Sequence, residues 1–233
     1  MANTTEKKKR TRYTSPKGSA LFARVIDVDY GTEKYPDPKG SFNITLALDE
    51  PEAQHLDSML EEEVSEAHAF TDNAFSELKP QSQKKLGEFK FNDLGPEEYD
   101  RDGTPTGRRL FRFKTGAFYE RNGKKLQRRV PLFDSMQQAI SLKEEPGNGS
   151  IVRVSFTCNP YFVEGQGMGG LSLYLDALQI IKLNKAGERS ASDYGFGSEE
   201  GGFCGADDMD DDTTTTSEAP IGTDTSAPDD LPF

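Results

Sequence analysis

Apolar and polar residues alternate most regularly between Ser41 and Leu48, where Phe42, Ile44, Leu46 and Leu48 interleave with Asn43, Thr45 and Ala47. A period of two predicts a half-buried strand. The preceding run "SALFARVIDVDY" (19–30), rich in branched and apolar residues, predicts another, joined to it by the Pro/Gly loop "GTEKYPDPKG" (31–40). Beyond Leu48 the period changes. Leu56, Met59, Leu60, Val64, Ala67, Phe70, Ala74 and Leu78 recur every three or four positions, which predicts a long amphipathic helix over 50–78 with an acidic outer face. Asp49 and Glu52 have the spacing of a capping box, and Pro51 falls in the first turn, where proline is tolerated. Residues 79–106 show no consistent period. Strand patterns resume in "GRRLFRFKTGAFYERNGKKLQRRVPLF" (107–133), a hairpin about Asn122-Gly123, whose residues suit the positive φ angles of a type I′ turn. Asn148-Gly149 opens a second pair, "SIVRVSFTCNPYFV" (150–163) and "LSLYLDALQIIKL" (171–183), joined by "EGQGMGG". Paired strands with one long helix predict an α+β fold, mainly β: a small antiparallel β-barrel with one long inserted amphipathic helix.

Charge divides the chain. The formal net charge of -12 falls entirely on residues 191–233, which hold 12 carboxylates and no Lys or Arg; residues 1–190 carry 28 of each sign. The 191–233 segment, mostly Gly, Ser, Thr and Asp, has too few apolar side chains to offset its ordering entropy and is expected to be a disordered acidic tail. The organisation that follows is a flexible basic arm over 1–18, one domain over 19–190, and the tail over 191–233. No stretch has the length and apolarity of a membrane span, and "MANTTEKKKRTRYTS" lacks the apolar run of a signal peptide. A cytoplasmic location is expected. Cys158 and Cys204 have no CxxC partner and read as reduced thiols rather than a disulfide or zinc site.

The chemistry is concentrated in residues 101–130, where ten Lys and Arg face only Asp102 and Glu120. Side-chain alternation predicts Arg108, Arg112, Lys114 and Phe118 on one face and Phe111 and Phe113 on the other, in the core. Arg121, Lys124 and Arg128 continue the charge around the turn. In the next strand Val152, Val154 and Phe156 point one way, and Arg153, Ser155, Thr157, Asn159 and Tyr161 the other. Tyr30 and Tyr35 flank the first loop. Cations that neutralise phosphates beside rings that stack on unpaired bases are the requirements of single-stranded nucleic acid.

These residues resemble a known family. "DYGTEKYPDPKGSFNITLAL" followed by the acidic helix, and "NPYF" (159–162), are similar to the corresponding segments of phage-type single-stranded DNA-binding proteins of the OB-fold class. The resemblance implies an OB-fold-like barrel that coats and protects single strands without sequence preference in phage DNA replication, recombination and repair. It also implies base stacking by the late-strand Tyr-containing segment, and leaves open which of Tyr161 and Phe162 stacks. The chain ends in "DDLPF", which resembles the acidic tip of bacterial single-stranded DNA-binding proteins. That resemblance implies that Asp229, Asp230, Leu231, Pro232 and Phe233 dock replication and recombination enzymes, such as a polymerase or helicase-primase, in the host bacterial cytoplasm. Twelve carboxylates tethered near a basic groove are further expected to compete with DNA for it.

Other functions fit less well. Asp27 and Asp29, which would pair on a strand as metal ligands, read as a solvated strand end; "DDMDDD" (207–212) lacks the fixed Gly and Glu of a calcium loop, and "GQGMGG" has no Lys-Ser/Thr and no helix after it. No nucleophile–base set stands out, so no catalytic residue, metal or cofactor is expected. The long helix is acidic, which disfavours duplex binding through a groove. The remaining alternative is an interaction or DNA-mimic protein that works through its acidic tail, with a non-binding barrel.

Overall fold

The core face of the run Phe42 to Leu48 is as the two-residue period predicts: Phe42, Ile44, Leu46 and Leu48 are at most 1% exposed and form the centre of the core, but the strand is not half-buried, since Asn43 and Ala47 on its other face are buried as well. They lie on β3 (Pro36–Asp49), which is flanked by β2 (Gly18–Gly31) and β6 (Pro105–Gly116). The computed structural model describes residues 10–184. β6 passes to β12 (Met168–Lys182), β12 pairs antiparallel with β11 (Ile151–Val163), and β11 returns to β2, closing a five-stranded barrel. Phe111 and Phe113 of β6, Val152, Val154 and Phe156 of β11, and Leu171, Leu173, Leu175 and Leu178 of β12 fill it. The mainly β barrel with one long helix is therefore as expected.

That helix, α1 (Glu50–Ser76), buries Ala53, Leu56, Leu60, Ala67 and Thr71. It is tied to the barrel by polar contacts as well: the Arg109 guanidinium pairs with Asp57 and donates to the carbonyls of Leu94 and Gly95, and Tyr13 donates to Glu63 at 3.0 Å. The capping box is not formed. Asp49 ends β3 opposite Arg108 and makes no side-chain cap hydrogen bond. Phe70 is 44% exposed because Thr71, not Phe70, turns inward against Gly169.

The aperiodic stretch holds α2 (Pro80–Leu86), β4 (Lys90–Asn92) and β5 (Glu97–Tyr99), each fixed by a distant contact. The His68 ring stacks on Phe91 at 3.5 Å, and Gly95 lies against the Phe111 ring. The predicted hairpin over 107–133 is divided in two. β6 ends at Gly116, and β7 (Phe118–Arg121) with β8 (Lys124–Gln127) forms a separate two-stranded ribbon, followed by β9 (Leu132–Phe133) and β10 (Ala139–Ile140). Asn122 (φ 53°) and Gly123 (φ 70°) supply the expected turn. Phe118 therefore does not share a strand with Arg112: the Ala117 amide still bonds the Gly40 carbonyl of β3, the last step of the β3–β6 register, but the Ala117 carbonyl accepts the Arg128 amide and the chain turns off into the ribbon.

The arm expected over 1–18 is also corrected in part. Arg12–Thr14 forms β1, paired antiparallel with Thr157, Phe156 and Ser155 of β11, and Ser15 is buried. Tyr13 packs its ring on Phe156, an anchor that the run of basic residues hid. The tail over 191–233, with Asp229–Phe233 and Cys204, lies outside the described residues.

Closure between β2 and β11 is short, resting on the register of Ile151 with Ser19 and Val152 with Gly18. Beyond it, Glu145 takes over. Its carboxylate accepts the backbone amides of Val25, Ile26 and Asp27 at 2.8–3.0 Å, filling acceptor positions that a neighbouring strand would otherwise supply. Replacing Glu145 by Ala is expected to lower stability by about 2 kcal/mol, with faster hydrogen exchange at these three amides. A variant with unchanged melting and exchange would contradict this account.

Cys158, 6% exposed, has its thiol pushed up to about 12 by burial and by the nearby Glu63 carboxylate. In a Cys204→Ser background, iodoacetamide at about pH 8 should leave the folded chain unmodified and alkylate Cys158 only after denaturation, because the thiolate is the reacting form.

Candidate nucleic-acid interface

The barrel register brings residues far apart in sequence into rows. Thr157 of β11 is opposite Tyr174 of β12, and Leu173 of β12 is in register with Phe113 of β6. Lys114 of β6 is opposite Asn43 of β3, which is opposite Arg24 of β2. Because neighbours on a strand alternate faces, Thr157, Tyr174, Lys114, Asn43 and Arg24 form one outward row. Asn159, Ser172, Arg112, Thr45 and Leu21 form the next, with Arg12 of β1 extending the first row beyond Thr157. The side chains on the opposite face of the same strands are the core, and the outward set, Leu21 apart, is polar, cationic or aromatic; Asn43 within it is itself buried, its amide turned to Asp29.

Within this surface the predicted cations are not equivalent. Arg112 is exposed and has no ion-pair partner among the described residues. Lys114 reaches Asp37 at 2.9 Å, and this hydrogen bond holds the Asp37 carboxyl below the usual carboxylate range. The Asp29 carboxyl is likewise lowered, first by the Gly31 amide at 2.8 Å and also by Asn43, whose Nδ2 is 2.7 Å away. Arg108 is drawn back to Glu98 at 2.6 Å, which neutralises it against β5.

The ribbon concentrates the rest. Its register sets Arg121 opposite Lys124 and Phe118 opposite Gln127. Like charges facing across a ladder are unfavourable without an anion. Lys125 lies over the Phe118 ring at 4.3 Å and Arg128 over Tyr119 at 5.6 Å; Arg128 also donates to the Gly116 carbonyl. The rings of this ribbon are thus already faced by cations, and Phe118 is only half-exposed.

Two further aromatic groups frame the surface. At the β2–β3 turn Tyr35 is 72% exposed and Tyr30 56%, Tyr30 lying beside Gly40, where a side chain would meet its ring. At the β11–β12 end the Tyr161 ring lies over Gly170, and its hydroxyl accepts from Asn92 Nδ2 at 2.7 Å. Tyr161 falls on the outward face with Asn159, whereas Phe162 is opposite Gly169, whose open side faces Thr71 of α1. Of the two residues left open by the sequence, Tyr161 is the one on the polar surface.

Arg153 stands apart from the ribbon. It is opposite Gln179, borders two clefts with Arg12, Thr14 and Lys17, and its buried Nε has no hydrogen-bond partner. Sequence reasoning missed Tyr174, which is 37% exposed with the Arg10 guanidinium 5.9 Å from its ring centroid. The alternation in "LSLYLDA" marks it as outward, but a tyrosine amid leucines reads first as core. Arg24 was missed because it lies in a mainly apolar strand. Among the described residues no cluster of His, Cys, Asp and Glu could hold a metal ion.

Over residues 18–183 the sequence matches the family described as "Single-stranded DNA-binding protein, Bacteriophage T7". In structure the chain is similar to gp2.5, a single-stranded DNA-binding protein encoded by bacteriophage T7. The TM-score is 0.59 at 19% identity, over 84% of this chain and 99% of that one. It is also similar to the single-stranded DNA-binding protein of bacteriophage Enc34 in complex with ssDNA, at a TM-score of 0.47 and 12% identity, over 76% of this chain and 89% of that one. No curated protein matches the sequence. The family match takes in all five barrel strands, β2, β3, β6, β11 and β12, and helix α1; the chain belongs to the bacteriophage T7 single-stranded DNA-binding protein family.

Proposed function

We propose that this chain coats single-stranded DNA without sequence preference, through the outward rows of the barrel and the basic ribbon, and acts in phage DNA replication, recombination and repair. The observation that carries the reading is the pair of rows across β11, β12, β6, β3 and β2, where Tyr174, Lys114 and Arg24 alternate with Arg112, Asn159 and Thr45 in register. Cations spaced across a face supply counterion release, Tyr174 supplies a ring within it, and Tyr161, Tyr30 and Tyr35 supply rings at its margins. The acidic tip Asp229–Phe233 docks replication and recombination enzymes, and the 12 carboxylates of 191–233 compete with DNA for the cations. The protein works in the bacterial cytoplasm. No described helix is long and apolar enough to cross a membrane.

Anisotropy of labelled oligo-dT and a matched duplex tests this with the full chain and a chain ending at 190, at low and moderate salt. The shortened chain should bind oligo-dT more tightly than it binds duplex, and more tightly than the full chain binds oligo-dT, with affinity falling as salt rises. If neither chain binds oligo-dT, the basic surface is only solvated and the tail is what the protein works through. Single substitutions separate the cations. Arg112→Ala should weaken binding and reduce the salt slope by about 0.7, whereas Arg108→Ala should lower stability and leave the slope nearly unchanged. Tyr161→Ala should cost about 1–3 kcal/mol of binding, and equal affinity for the variant would remove Tyr161 from the interface.

A further inference from the structure

We propose that Phe22 is an additional base-stacking residue, set by a strained bulge where the two outward rows end on β2. The inference rests on the reading of the chain as a single-strand binder. Strict alternation from Ala20 would place Phe22 in the core. Instead Leu21 is opposite Thr45 and Arg24 opposite Asn43, so that three steps of β2 span two of β3. The extra residue lets Ala20 and Ala23, 0% and 7% exposed, both turn inward, and leaves Phe22 69% exposed, the most exposed phenylalanine among the described residues. Its φ is 51°, in the left-handed region that bulky residues disfavour and that glycine occupies in bulges of this kind.

The surrounding structure holds that conformation. The Phe22 amide donates to Asn148 Oδ1 at 2.8 Å, the Gly149 amide to the Ala20 carbonyl at 2.9 Å, and the Ala20 amide to the Ser150 carbonyl at 2.8 Å. Glu145, from the same loop, fixes three amides further along β2, those of Val25, Ile26 and Asp27. An exposed ring on a disfavoured backbone gains little for the folded state, since glycine or asparagine would satisfy the same geometry. What the ring does have is position. Leu21 leads by register to Thr45 and Arg112, and exposed Arg24 leads to Asn43 and Lys114. A ring presented beside a line of cations suits an unpaired base whose phosphate those cations hold, more than it suits an apolar protein surface.

The test uses the full chain with Phe22→Gly, Phe22→Leu and Phe22→Tyr, each measured for oligo-dT anisotropy, salt slope, melting temperature and sedimentation. Phe22→Gly should melt no lower than the native chain, because glycine accepts the positive φ, yet bind about tenfold more weakly, equivalent to about 1.4 kcal/mol. Its salt slope should be unchanged, since no charge is lost. Phe22→Leu should be weakened similarly, and Phe22→Tyr should retain affinity. Native binding with unimpaired Phe22→Gly would overturn the role of Phe22 alone. A loss of affinity that tracks a lower melting temperature would make the ring structural, and a change in sedimenting mass would make it a contact between copies; either also overturns it. If neither the native chain nor the chain ending at 190 binds oligo-dT, the inference falls together with the reading it rests on.

Discussion

A five-stranded barrel closes only if its first strand can leave its neighbour on one side and reach the fourth strand on the other. Here that demand falls on β2, which follows β3 for most of its length but meets β11 at only Gly18 and Ser19. At that point β2 is also pressed against β3: a side chain at Gly18 would lie 2.5 Å from Leu48 and 2.8 Å from the Ala47 carbonyl. The turn away is made by the bulge at Phe22, and the residues before Gly18 complete the closure by lending β1 to the free edge of β11. Hydrogen-bonding groups on the open edge cannot be left buried without a partner, and Glu145 satisfies three of them with one carboxylate.

Closure gives the interface its form. Pairing every strand with two neighbours fixes their relative registers, and register alone decides which residues share a row. Arg24, Lys114 and Tyr174 stand far apart in the chain, yet they become neighbours because three ladders agree. The helix contributes by occupation. Its buried face and the Arg109–Asp57 pair cover core that would otherwise be exposed, leaving the outward faces of β3 and β6 as the polar surface.

Much of this was legible in the sequence because β3, β6, β11 and β12 each bury one face, so that alternation reports orientation directly. Phe111 and Phe113, and the whole Val152-to-Tyr161 series, lie as the alternation predicts. It fails where an extra residue inverts the parity, as at Phe22, or at Asp176, between Leu175 and Ala177 opposite Ser155 and Phe156. It is also blind to partners that local patterns cannot supply. Arg108 and Arg112 are alike in sequence, and only Glu98, brought alongside by β5, separates the neutralised one from the free one. Glu145 finds its amides 118 to 120 positions away. The short strands of 79–106 have no period to read because each is too brief to show one; His68 on Phe91 and Gly95 against Phe111 hold them.

The Glu145 clasp also separates the barrel from what is attached to it. Since one side chain secures the open edge of β2, the segment between Ala117 and Glu144 contributes little main-chain pairing to closure beyond the brief contact of β9 with β12. A ribbon carried there behaves as a cassette. Ala117, Val130 and Leu132 on either side of it belong to the core, so the part that a protein engineer can exchange for a ribbon of different reach is the stretch between Phe118 and Gln127, whose ladder is its own. The same scaffold can thereby be fitted to strands of different geometry without being folded anew.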